Sequence, residues 1–304
     1  FDLSNDASKY ASQLSITETW QPKRLFFNTG WWFYGSRENF EKADKSNMLN
    51  FDIGVFYPTK GMSNNEVASL ASSQHLCQGF GRMTSRGSQS EYIELLKGDM
   101  PQDQTNVFEG IDTSWNRIKG GKAIGDILYA IETNFDFRNP ASHLPDLMTA
   151  YDMLQKVEDT HWKTIKSEEL KTIIQACAGL YLEASAKTSN ATRGESVEVT
   201  IEALNRSDAN INIVSYTIND SSKPKSIQLK SNERQNINET ITIPSRSNYT
   251  TPYWLDKKGT LGMYQVDNKN LIGKPETPRA INLDFNLTIN GKPITITKPD
   301  QPKA

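Results

Sequence analysis

Ile281-Asn282-Leu283-Asp284-Phe285-Asn286-Leu287-Thr288-Ile289-Asn290-Gly291-Lys292-Pro293-Ile294-Thr295-Ile296 is the stretch that decides the fold of the C-terminal part of this chain. Apolar side chains fall on every second residue from Ile281 to Ile289, resume at Ile294 and Ile296, and flank an Asn-Gly pair. Strict alternation marks a strand with one buried face. Asn-Gly supplies two central residues that tolerate positive φ, as a two-residue hairpin turn requires. The spacing therefore predicts an antiparallel hairpin. Upstream, Val197, Val199, Ile201 and Ala203 alternate with Glu198, Thr200 and Glu202, and weaker strands fit 211–218, 226–230 and 237–243. Several short strands in so few residues predict a β-sandwich over 189–304, set off by a linker between Thr188 and Gly194.

Moving toward the N-terminus, the period changes to that of a helix. Residues 99–188 read as a helical region with three stripes. Ala123, Ile124, Ile127, Leu128 and Ile131 make the first. Leu144, Leu147, Met148, Tyr151 and Leu154 make the second, with Pro145 in its first turn. The third has Ser167 as its cap and runs through Leu170, Ile173, Ile174, Cys177, Tyr181 and Ala184. Residues 1–98 read as α/β. Lys23-Arg24-Leu25-Phe26-Phe27-Asn28 is an apolar run suited to a buried strand, and a second strand fits 51–56. Ser63-Asn64-Asn65-Glu66 is a capping box opening a helix that stops near Gly79. The expected class is α+β and multidomain.

Composition excludes several functions. With 34 basic against 36 acidic side chains and a net charge of −2, no basic surplus supports nucleic-acid binding by bulk electrostatics. No apolar run reaches the roughly 20 residues of a membrane-spanning helix. Two cysteines, Cys77 and Cys177, make neither a disulfide framework nor a multi-cysteine zinc site, and three histidines leave little for a histidine-rich metal centre. At 304 residues the chain is about two domains long.

Five motifs, in order, carry a family resemblance. They are Gln21-Pro22-Lys23-Arg24-Leu25-Phe26-Phe27-Asn28, Ser73-Gln74-His75-Leu76-Cys77-Gln78-Gly79-Phe80-Gly81, Phe108-Glu109-Gly110-Ile111-Asp112-Thr113-Ser114-Trp115, Pro252-Tyr253-Trp254-Leu255 and Leu271-Ile272-Gly273-Lys274-Pro275-Glu276. Together they resemble the part of large bacterial PIG-L-type (LmbE-like) N-acetylglucosaminyl deacetylases that follows the catalytic half. Cys77 stands where shorter members carry serine. The resemblance implies a hydrolase that removes the acetyl group of an acetamido sugar with zinc held by two histidines and an aspartate. It implies a periplasmic or secreted location as well. The family's A-H-P-D-D-E and H-x-x-H metal motifs are absent here, and Phe1-Asp2-Leu3 resembles the tail of the helix bearing the second. The resemblance thus implies a non-catalytic C-terminal portion: residues 1–98 would complete the α/β deacetylase domain, with no metal ligand and no cofactor in this chain. The partners implied are the missing N-terminal half and, through the intact protein, an N-acetylated carbohydrate.

Each candidate residue has two readings. His75 and Gln78 stand either at the rim of the deacetylase site or as a helix-face histidine bonded in the core with an amide holding backbone. Trp31, Trp32 and Tyr34, with Arg37 beside them, suit stacking on a sugar ring and bonding to its hydroxyls, or packing between elements. Tyr253 and Trp254 suit packing between domains, or ligand binding. Cys77 and Cys177 read as small hydrophobes. Asn190-Ala191-Thr192 and Asn248-Tyr249-Thr250 are glycosylation-type triplets expected by chance in such a segment. The alternative to a deacetylase fragment is a stand-alone carbohydrate-binding or adhesion module; a third reading is a scaffold for domain packing or dimerisation.

Overall fold

The computed structural model describes residues 1–81, 84–218, 221–299 and 301–302, and the chain divides into two units, 1–112 and 113–304. In the first unit the apolar run forms β1 (Arg24–Thr29). It is followed by α1 (Arg37–Lys42), β2 (Met48–Asp52), the short strands β3 (Phe56–Tyr57) and β4 (Met62–Ser63), α2 (Asn64–Ser73) and β5 (Ser90–Gly98). The sheet order is β1-β5-β2, antiparallel throughout, with Asn28 opposite Ile93 and Ile93 opposite Leu49. The alternating α/β reading of these residues thus gives way to an antiparallel arrangement. β5 is hidden in the sequence because Tyr92-Ile93 and Leu95-Leu96 are apolar neighbours that blur the alternation. β2 lies a few residues earlier than 51–56, because Asp52 Oδ1 accepts from the backbone N–H of both Gly54 and Gln89 and so turns the chain out of the strand.

The capping box forms as expected: Ser63 Oγ accepts from Glu66 N, and Glu66 Oε2 accepts from Ser63 N at 2.8 Å. The helix ends at Ser73 rather than near Gly79. Its last serine hydroxyl bonds back to the Ser69 carbonyl at 2.8 Å, a local bond that competes with continuing the helix. His75 then leaves helical geometry and Leu76–Gln78 makes one 3₁₀ turn.

In the second unit α3 (Gly121–Thr133), α4 (Leu144–Leu154) and α5 (Thr160–Ala178) precede the strands. The α4 stripe is buried in full, and of the α3 stripe only Ala123 is exposed. α5 differs from expectation at both ends. Its cap is Asp159, whose Oδ1 accepts from Trp162 N at 2.9 Å, while Ser167 lies inside the helix and accepts from Gln155 Nε2 at 3.0 Å. At its C-terminus Gly179 adopts φ 56, the left-handed stop that glycine tolerates best. Tyr181 and Ala184 therefore belong to β6 (Leu180–Ala186), where Leu180, Leu182, Ala184 and Ala186 point inward. Tyr181 and Ala184, four and seven residues after Cys177, imitate a helical face across the element boundary.

The remaining strands are β7 (Ser196–Asn205), β8 (Ile211–Ile218), β9 (Ser221–Leu229), β10 (Gln235–Thr242), β11 (Asn282–Ile289), β12 (Lys292–Pro299) and β13 (Gln301–Pro302). They form two four-stranded sheets, β10-β7-β6-β13 and β12-β11-β8-β9, antiparallel except for β13 beside β6. Asn290 and Gly291 have φ 49 and 81, and Ile289 pairs with Lys292, so the hairpin closes as its sequence predicts. Inward residues of both sheets and the three helices share one hydrophobic cluster, from Ile118 to Ile296. The helical region and the sandwich are thus one body, with no break near 188. Among the polar bonds that cross between the sheets, Asn205 Nδ2 donates to the Leu229 carbonyl at 3.1 Å and the Tyr216 phenol donates to Glu239. Burial and this carboxylate both push the phenol's pKa up. Tyr216→Phe removes the donor while the Glu239 carboxylate stays mostly covered, so a stability loss of about 1–2 kcal/mol is expected in urea unfolding.

Candidate functional site

Trp31–Tyr34 makes a single 3₁₀ turn after β1, held between Gly30 and Gly35. The Trp31 and Trp32 rings stack with centroids 4.0 Å apart, and the Arg37 guanidinium lies 5.4 Å from the Trp31 ring. Trp32 is 74% exposed and Phe33 65%. Phe33 meets Phe27 of β1 edge-on at 4.9 Å. Tyr34 turns the other way, against Phe40, which packs on Tyr92. The structure therefore brings Trp31, Trp32 and Arg37 into one exposed patch and ties Tyr34 to the interior of the unit.

His75 and Gln78 are brought together but away from any core. His75 Nδ1 lies 2.9 Å from Gln78 Oε1 and the imidazole meets Phe80 edge-on. Both residues are exposed, so the reading of His75 as a core histidine, and of Gln78 as holding backbone, is replaced by a surface pair on the turn after α2. Among the described residues, no hydrogen bond or ring contact joins this pair to the Trp31 patch.

The residues present do not fit a zinc centre. Among the described residues no three His, Cys, Asp or Glu side chains converge as metal ligands would. His143 Nε2 accepts from Asp136 N at 2.9 Å, and His161 packs on Trp162. Cys77 is exposed; Cys177 is buried and its thiol pKa is pushed up by burial, away from reactivity.

Two of the motifs meet in the second unit. Tyr253 Oη donates to the Lys274 carbonyl at 2.8 Å, and Tyr253 N donates to Thr277 Oγ1 at 3.0 Å. Beside them opens a cleft of about 970 Å³ at one end of the sandwich, lined in part by Trp254, Tyr249, Arg193, Arg246, Arg279 and Glu276. Trp254 thus lines an opening rather than a domain junction. Arg193 sits on the β6–β7 loop, and Arg246 and Arg279 sit near the two ends of the β10–β11 connection; no sequence spacing announces them.

No protein-family model matches this chain, and no curated protein matches it. Among solved structures, the chain is similar to the sporulation control protein Spo0M from Bacillus subtilis at 12% identity, over 41% of this chain and 49% of that one, with a TM-score of 0.22. It is similar to the alkylpurine DNA glycosylase AlkC of Pseudomonas fluorescens, bound to DNA containing an abasic site analog, at 12% identity, over 57% of this chain and 50% of that one, with a TM-score of 0.20. The chain spans about half the length of each. Likenesses of this size carry no argument about fold or function. No described helix is long and apolar enough to cross a membrane.

Proposed function

We propose that this chain is the non-catalytic portion of a zinc-dependent deacetylase acting on N-acetylglucosamine-type sugars, with residues 1–112 forming a layer of the catalytic unit whose metal ligands lie on another segment. The observation that carries this reading is the bare apolar surface of the first unit. Among its described residues, the buried hydrophobic ones are Phe40, Met48 and Leu49. Leu25, Phe27 and Leu96, on neighbouring sheet strands, stand exposed at 41%, 38% and 54%, and Trp20, Phe56 and Phe80 are more open still. Sheet strands that leave several large apolar side chains open to water are the pattern of a face that another segment covers. The ordered motifs described above say what kind of protein the covering segment belongs to. In this reading the exposed imidazole of His75, paired with Gln78, is the side chain that would orient a loop or a substrate hydroxyl.

Intact mass of the protein purified from its native source tests the reading. A mass well above 34.3 kDa, in a species that deacetylates an N-acetylated sugar, is the expected result; a native mass of about 34.3 kDa overturns it. A second reading, a carbohydrate-binding module, is favoured by the stacked and exposed Trp31–Trp32 pair. It requires glycan binding by the isolated chain that Trp32→Ala abolishes.

A further inference from the structure

The cleft at the end of the sandwich lies wholly within the second unit and plays no part in the deacetylase reading. Its charged lining is three arginines, Arg193, Arg246 and Arg279, against one carboxylate, Glu276, in a chain whose net charge is −2. Among the described residues none of the three guanidinium groups has a carboxylate within ion-pair distance, Glu276 included. Arg193 lies over the Tyr249 ring, 4.4 Å from its centroid, which holds the group in place while leaving its N–H edge for a ligand. Cationic forks gathered without their own counterions are the arrangement that recognises carboxylates and other oxyanions by paired hydrogen bonds.

The rest of the lining says what the anion is attached to. Tyr249, 74% exposed, and Trp254 both line the cleft, two flat faces of the kind that pack against sugar rings. Among the alanine, proline, valine and isoleucine residues of the remaining wall stand serine, threonine and asparagine side chains, donors and acceptors suited to hydroxyl groups. At about 970 Å³ the cleft is at the upper end of ligand pockets, which span about 300–1,000 Å³, and holds several rings rather than one. Its wall is built before any ligand arrives. The long connection from β10 to β11 is pinned by Tyr253 to Lys274 and by Thr277 Oγ1 donating to the Thr251 carbonyl at 2.9 Å. The lining holds one carboxylate where glycoside hydrolysis uses two, and no histidine, cysteine or lysine. Its chemistry is therefore binding.

We propose that this cleft binds an anionic oligosaccharide, with Arg193, Arg246 and Arg279 on the acid groups and Tyr249 and Trp254 on the ring faces. The chain's negative net charge disfavours nucleic acid, and an acidic peptide does not call for the aromatic faces.

Calorimetric titration of the full chain at low salt tests this. The probes are tetragalacturonate, a sulfated tetrasaccharide, neutral chitotetraose, an oligoglutamate and a single-stranded oligonucleotide. At least one acidic tetrasaccharide is expected to bind saturably, at least about tenfold more tightly than chitotetraose. Which of the two binds tells carboxylate from sulfate. Arg246→Gln and Arg279→Gln are each expected to weaken it about tenfold, and Tyr249→Ala to weaken it with the melting temperature unchanged, since all three side chains are exposed. Absence of saturable binding by both acidic sugars overturns the proposal. So does equal or tighter binding of the oligoglutamate or the oligonucleotide, and so does an affinity indifferent to all three substitutions.

Discussion

Phe285→Ala is expected to destabilise the second unit by about 3–5 kcal/mol, the range for removing a fully buried aromatic side chain. Phe285 has no exposed surface, sits on β11 between β8 and β12, and is paired with Tyr216 on one side and Ile296 on the other, both buried. Its neighbours are β-sheet residues whose backbones are held by ladders on two sides, so the space left behind closes poorly. For a unit of this size the loss corresponds to a fall in melting temperature of roughly 6–20 °C, read by calorimetry. The comparison with Phe27→Ala makes the measurement informative about function. Phe27 is the same residue type on β1 of the first unit, yet 38% exposed. Its truncation in the chain alone is expected to cost less than about 1 kcal/mol. If a separate metal-bearing segment covers that face, the same substitution weakens association with it, and the two losses then become comparable.

Gly121→Ala is expected to lower stability by about 1–3 kcal/mol, against the usual benefit of replacing a helical glycine. Alanine gains at most about 1 kcal/mol in helix propensity. A Cβ at this position would lie 2.1 Å from the Trp115 carbonyl oxygen and 2.6 Å from Ile118 Cγ1. The oxygen is backbone and cannot swing aside, so α3 must move off the turn before it. Gly125, one helical turn on, makes room for the Trp115 side chain in the same way, its Cβ position lying 2.8 Å from Trp115 Cβ. The two glycines are a seat for Trp115, the last residue of the Phe108–Trp115 motif. Urea unfolding of the variant decides the sign: greater stability would mean that Trp115 does not rest on α3.

These cases show where sequence reading succeeds. The β11–β12 hairpin, the α4 stripe and the Ser63 capping box were legible because each is specified by residues close together in the chain: alternation, a 3.6-residue period, and a hydroxyl three residues from a glutamate. The third helix was misplaced because two local signals conflicted. Ser167-Glu168-Glu169 has the composition of a helix start, but Asp159 already caps the helix two turns earlier. The run through Tyr181 and Ala184 keeps a helical spacing although Gly179 has ended the helix. The candidate sites fared similarly. Trp31, Trp32 and Arg37 are neighbours in sequence and remain neighbours in space, whereas Arg193, Arg246 and Arg279 line one cleft only because the β6–β7 loop and both ends of the β10–β11 connection lie at one end of the sandwich.

By itself the sequence determined the local elements, the two-residue turn, the shortage of metal ligands and the charge balance, since each depends on residue type and short spacing. Only the tertiary structure decided that the helices and the sandwich share one core, that the first sheet is antiparallel, and that Leu25, Phe27 and Leu96 lack cover. It alone gathered unpaired arginines around an aromatic cleft. The physical reason is common to all of these: burial and charge pairing depend on which distant segments close against one another, and no period along the chain records that.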